Sequence, residues 1–256
     1  MFYPQSSVVI AILLVVFLWA SVTRLYPNWF DWPVAKLLND STRKHPLASK
    51  LAFGAAYPTL EGMILVSLGW YCWFAETRSE VRAGLIVSAG VAVFAGGLAH
   101  FLRYVMPATP KPIFNQSLQL RPPDVFGNID ALRAESFPNS PAFPSQRATM
   151  FGALSIAVFL VRADLGLLAL ACTMVVEFSR VYLGLHYPTD GIGSFTLGAA
   201  LVLLGQGRWD SDLGLWFVRW EWASPSTFYV CAFLASYQIA NAFQEVREFL
   251  RSFSAR

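Results

Sequence analysis

Apolar residues in this chain fall in runs of helical length separated by short polar links, a pattern that predicts helices and leaves no strand-like alternation to follow. The first run covers 7–23. No lysine or arginine precedes it, which favours a retained span over a cleaved signal segment. Further runs at about 52–75, 83–105, 148–161, 165–183 and 190–206 complete six candidate spans. Residues 226–243 make a seventh candidate, which Gln238, Asn241 and the following Gln244 weaken.

Two stretches suit the interface better than the bilayer core. Residues 29–38 interleave Trp29, Phe30, Trp32, Val34 and Leu37 with Asp31 and Lys36, and are too short to span. Residues 208–224 set Trp209, Trp216, Trp220 and Trp222 among charges. The expected architecture is therefore all-α and integral to the membrane: a six-helix bundle with interfacial helices and a seventh C-terminal candidate. It reads as one domain over 1–256, with its core at about 50–206 and an extension at 207–256.

Within the runs, Pro58 is placed to kink the second span. Glu61 either faces a polar cavity or lies near a helix end within reach of headgroups. Gly90, Gly96 and Gly97 make the third span one that neighbours approach closely. Between 107 and 144 the chain carries eight prolines and no helical period, so a long irregular loop is expected there.

Composition agrees with a polytopic membrane protein, at 55% hydrophobic residues and a mean hydropathy of +0.47. A net charge of +3, spread between the apolar runs, gives no support to nucleic-acid binding. Cys72, Cys172 and Cys231 each fall inside an apolar run and read as small core residues. With only His45, His100 and His186 and no clustered carboxylates, neither a catalytic metal nor a cofactor is expected.

The chemistry concentrates in Ser179-Arg180-Val181-Tyr182-Leu183-Gly184-Leu185-His186-Tyr187-Pro188-Thr189-Asp190, where one span ends and the next begins. Ionisable groups at such a place are costly unless paired or wet, so their clustering marks a candidate site. Arg180 falls in the last turn of a helix, where its fork can grip phosphate oxygens. Gly184 and Pro188 break the helix and free His186. Asp190 is placed to cap the next helix and hold the imidazole in one tautomer, leaving the other nitrogen as a nucleophile. Two more clusters share this membrane face: Arg103 with Lys111, and Ser145-Gln146-Arg147 at the start of the fourth span. His100, one turn before Arg103, reads as a satisfied helix-end histidine.

In these residues the chain resembles the type 2 phosphatidic acid phosphatases, membrane enzymes that remove phosphate from lipid phosphates and isoprenyl diphosphates. The family's third motif is Ser-Arg, five residues, His, three residues, Asp; Ser179, Arg180, His186 and Asp190 match it in full. The first motif, a lysine and then Arg-Pro seven residues on, is altered: Arg103 precedes Lys111-Pro112 by eight. The second, Pro-Ser-x-His, reads Pro144-Ser145-Gln146-Arg147, with arginine where the family has its proton-donating histidine. Arginine does not give up a proton at physiological pH.

The resemblance implies a phosphatase or phosphotransferase working through a phosphohistidine. His186 and Asp190 would be catalytic, and Arg103, Lys111, Ser145, Gln146, Arg147 and Arg180 would bind phosphate. A lipid phosphate would be the substrate and membrane lipids the surroundings, in a bacterial inner membrane with the site facing the periplasm. The alternative is a lipid-phosphate-binding protein of the same fold that turns over slowly or not at all because of Arg147. An ion or solute carrier would show inverted repeats or polar residues spread through the spans, and the sequence has neither.

Overall fold

A chain segment without water to bond its amides satisfies them internally, and each apolar run here closes into a helix. The computed structural model describes residues 4–56, 58–106, 109–121, 124–126, 142–206, 211–246, 249 and 253. In order the helices are α1 (Pro4–Thr23), α2 (Asp31–Lys44), α3 (Pro46–Ala55), α4 (Pro58–Ala75), α5 (Ser79–Val105), α6 (Gln146–Val161), α7 (Ala163–Tyr182), α8 (Pro188–Gly205), α9 (Asp212–Ala223) and α10 (Pro225–Ala240). There is no strand among the described residues.

Two helices, α5 and α7, are long and apolar enough to cross a membrane, and α3 with α4 makes a third if that pair, bent by 50°, is one broken span. Helix α6 and the Ser7–Thr23 part of α1 are apolar but shorter. Length and composition alone thus support two or three of the six spans expected. Pro58 opens α4 at the 50° bend from α3, where the expected kink falls, since proline fits a first turn and disrupts an interior.

The core forms where α5, α6, α7 and α8 pack on one another, with α1 against α8. Met150, Phe151, Ala153, Ala157, Ala169 and Val202 lie at its centre. Of the three glycines expected to admit a neighbour on α5, only Gly96 does so, with Met150 Cβ 3.2 Å from where its own Cβ would sit; Gly90 and Gly97 face open space. The cysteines also differ from expectation: Cys72 is buried, but Cys172 is half-buried and Cys231 exposed.

Helix α10 runs antiparallel to α4 along its whole length. Phe228 stacks on Trp73 at 5.5 Å, Phe233 meets Trp70 at 4.9 Å, and Ser236 accepts from the Trp70 indole at 3.0 Å. At the far end the backbones nearly touch: a Cβ on Gly62 would lie 2.1 Å from the Ala240 carbonyl oxygen. The weak seventh candidate is thus a 16-residue helix packed beside α4, and it is not among the helices apolar enough to stand with the candidate spans. Helix α9 packs against α5 and is tied there by Arg82, which bonds Glu221 at 2.7 Å and lies 4.0 Å over the Trp73 ring.

This connectivity gathers helix ends. Helices α1, α5 and α7 finish, and α4, α6 and α8 begin, around the residues described next.

Candidate active site

Helix α7 ends because Gly184 takes φ +75°, a left-handed turn that residues with a Cβ adopt at a cost. Its last carbonyls are closed by the turn itself: the Arg180 carbonyl accepts from Leu185 N–H at 2.9 Å. Pro188 then starts α8 with its ring at the first helical position. Between them His186 is delivered into the interior, 4% exposed.

Asp190 holds it there. Its Oδ2 lies 3.4 Å from His186 Nδ1 and accepts the Tyr187 N–H at 2.8 Å. Asp190 thus caps α8 as expected, and does so from the N3 position of a capping box in which Tyr187 is the N-cap residue. Burial first, and then the Arg180 cation, push the imidazole from its ordinary 6.5 down to about 3 against the pull of Asp190. The ring is neutral at physiological pH, with Nδ1–H turned to the carboxylate and the Nε2 lone pair available.

The cations expected at the site are brought together. Arg180 places Nη1 3.4 Å from Glu177 Oε1. Lys111 is half-buried and lies in the fields of Arg180, Arg103, Arg147 and Asp190; burial and those three cations lower its pKa from 10.5 to about 8. Its loop is pinned to the histidine turn, since Ile113 N–H donates to the Gly184 carbonyl at 3.0 Å and Asn115 Nδ2 donates to the Tyr187 hydroxyl at 2.9 Å. Part of the long loop is thus fastened onto the site.

Arg103 Nε donates to the Pro144 carbonyl at 2.7 Å, fixing the turn before α6. Ser145 caps α6, its Oγ accepting from Ala148 N–H at 3.4 Å while its own N–H donates to Ser194 Oγ at 2.7 Å. Gln146 is half-buried, with its stem against Gly96. Arg147 is half-buried; it donates Nη2 to Gln244 Oε1 at 3.0 Å and its charge acts on Lys111, Glu61 and Glu177. His100 is half-buried, with Nε2 3.4 Å from the Tyr104 hydroxyl one turn on.

The structure adds residues that the sequence pattern does not single out. Arg24, at the end of α1, is 5% exposed and reaches two buried carboxylates, Asp31 Oδ2 at 3.0 Å and Asp190 Oδ1 at 3.5 Å. It also donates to Thr109 Oγ1 and lies 4.4 Å over the Tyr187 ring. Asp31 is fully buried, contrary to its expected place on an interfacial surface, and accepts from Thr189 N–H at 3.2 Å and Thr189 Oγ1 at 2.6 Å. A lone carboxylate among aromatic residues was the only hint in the sequence.

Lys111 sets an alkaline limit. The cation present below pH 8 is lost as pH rises through that value, and a charged hydrogen bond is worth about 1.5–3 kcal/mol. Affinity for inorganic phosphate at the site is expected to fall about 10–100-fold between pH 7 and 9.5, and Lys111→Arg, charged throughout, to flatten the profile. A wild-type profile level over that range, measured by titration calorimetry, would exclude Lys111 from the site.

No characterised protein and no solved structure matches the chain significantly. The family profile described as the PAP2 superfamily matches residues 83–209, which take in α5, the loop, α6, α7 and α8. That stretch contains Arg103, Lys111, Arg147, Arg180, His186 and Asp190, and with it the chain belongs to the PAP2 superfamily.

Proposed function

We propose that this chain is a membrane phosphatase or phosphotransferase acting on lipid phosphates or isoprenyl diphosphates through a phosphohistidine. Membership of the PAP2 superfamily supports phosphatase-type chemistry on phosphate esters. The observation that carries the finer reading is the buried neutral imidazole of His186, held by Asp190 on one side with Arg180 and Lys111 in range.

In this reading His186 Nε2 attacks phosphorus in line, the bond to the leaving oxygen breaks, and the phosphoryl group rests on the ring. Arg180, Lys111, Arg103 and Arg147 offset the charge on the three equatorial oxygens, with Ser145 and Gln146 at the mouth of α6 completing the cradle. Water, or a second lipid's hydroxyl, then takes the phosphoryl group. The test is phosphate release from lipid phosphates by the purified protein beside His186→Ala. A protein that binds these lipids and releases nothing would be the phosphate-binding alternative, which the arginine at position 147 favours.

The six-span bundle belongs to the same proposal: α1, the bent pair α3 and α4, α5, α6, α7 and α8 cross a bacterial inner membrane with the site toward the periplasm. Ser117, exposed on the loop, reports the side. A Ser117→Cys variant without the native cysteines is expected to react with an impermeant thiol reagent in spheroplasts; labelling only after the membrane is opened would reverse the orientation.

A further inference from the structure

A phosphatase of this design needs a proton for the leaving oxygen, and Arg147 cannot give one. The proton donor has to be another group near Arg147. Two carboxyl groups meet that condition, Glu61 in the first turn of α4 and Glu177 in the last turns of α7. Both are buried, at 1% and 7% exposure, and each lies in the fields of Arg180 and Arg147. Glu61 also lies in the field of Glu177, and is outside the stretch that the family profile matches.

The two are not equivalent. Glu177 Oε1 is paired with Arg180 Nη1 at 3.4 Å, so it has a cation to carry its charge against. Neither oxygen of Glu61 makes a well-formed hydrogen bond among the described residues; the one hydroxyl it faces is that of Thr173, which it shares with Ser155 at 2.9 Å, and no cation is paired with it. A carboxylate without a paired cation, buried beside another carboxylate, is costly. The same group as a carboxylic acid is a donor whose proton is held by no charged partner before substrate arrives.

We propose that Glu61 is the acid that protonates the leaving oxygen, a role resting on the phosphatase reading above. As the His186 Nε2–P bond forms and the P–O bond breaks, the leaving oxygen takes the Glu61 proton. Glu61 becomes a carboxylate, and Arg147 beside it stabilises that charge. Water then attacks phosphorus, its proton passes to Glu61, the N–P bond breaks and phosphate leaves. Arginine at position 147 thus supports a carboxylic acid where the family's histidine would act itself.

Leaving-group chemistry tests this. Dodecyl phosphate releases an alkoxide that needs a proton, whereas a dodecyl-substituted 4-nitrophenyl phosphate releases a phenolate that does not. Glu61→Gln is expected to lower kcat/KM by about 10²–10⁴-fold on the first and only a few-fold on the second, whose retained turnover shows that the variant folds. Arg147→His is expected to lower dodecyl phosphate turnover several-fold by removing a cation. Equal losses on both esters from Glu61→Gln, no loss on either, the same selectivity from Glu177→Gln in its place, or a hundredfold gain from Arg147→His would each overturn Glu61 as the acid while leaving the phosphatase standing. Wild-type turnover of the nitrophenyl ester alone would mean that no acid operates and would also overturn it. Turnover of neither ester would remove the phosphatase reading and this one together.

Discussion

His186→Ala is expected to lower phosphate release by at least about 10⁴-fold, a loss of the size seen when a covalent nucleophile is removed. Nothing nearby can replace the ring. Of the other two histidines, His100 lies beside Tyr104 and His45 caps the end of α2. The Ser145 hydroxyl is oriented by its role in capping α6, and an alcohol without an adjacent base is a poor nucleophile. Water attacking directly would supply the residual rate, helped by the remaining cations.

A second readout separates loss of chemistry from loss of fold. A phosphoramidate bond survives alkali and is lost in acid, so labelled lipid phosphate quenched at high pH is expected to leave label on the wild-type protein and none on His186→Ala. Binding of inorganic phosphate to the variant should stay within about tenfold of wild type, because Arg180, Lys111 and Arg103 do the binding. A variant that keeps a tenth of wild-type turnover would remove His186 from the mechanism.

The part of this site that could be read from sequence is the part the chain encodes locally. Arg180, His186 and Asp190 lie within eleven residues, and Gly184 and Pro188 state in the sequence where the helix must break. Spacing alone therefore predicts that they meet. Arg103, Lys111 and Ser145 were accessible by a second route, since antiparallel spans with short links bring alternate helix ends to one face. The network under the site follows neither rule. Asp31 and Thr189 are 158 positions apart, and only the packing of α2 against α8 shows that they bond. Aromatic neighbours drew Asp31 toward an exposed, interfacial reading; Trp29 is 61% exposed, but Asp31 is fully buried. The course of α10 was hidden for a related reason: the polar residues in it and just beyond it look unsuited to a bilayer until Ser236 is seen to bond Trp70, and Gln244, past its end, to bond Arg147.

That hidden network carries the other large effect. Arg24→Met is expected to destabilise the protein by about 3–5 kcal/mol, the range for removing one partner of a buried ion pair. The cation is within 3.0 Å of Asp31 and 3.5 Å of Asp190, and both carboxylates are fully buried. Methionine fills much of the volume and keeps the apolar stem, so the loss is chiefly electrostatic: two carboxylates stay behind with no opposite charge from α1. Asp31 retains the Thr189 hydroxyl and amide, and Asp190 retains the Tyr187 amide and His186. Those contacts predict partial recovery. Asp31→Asn added to Arg24→Met removes one of the stranded charges while keeping an acceptor for Thr189, and is expected to restore about half of the lost stability, read as thermal unfolding in detergent. Activity below both unfolding temperatures should remain depressed in the double variant, because Asp190 still lacks the cation that anchors it behind His186. Full recovery of activity along with stability would show that Arg24 serves the fold alone, and an Arg24→Met protein as stable as wild type would show that the pair is not buried as described.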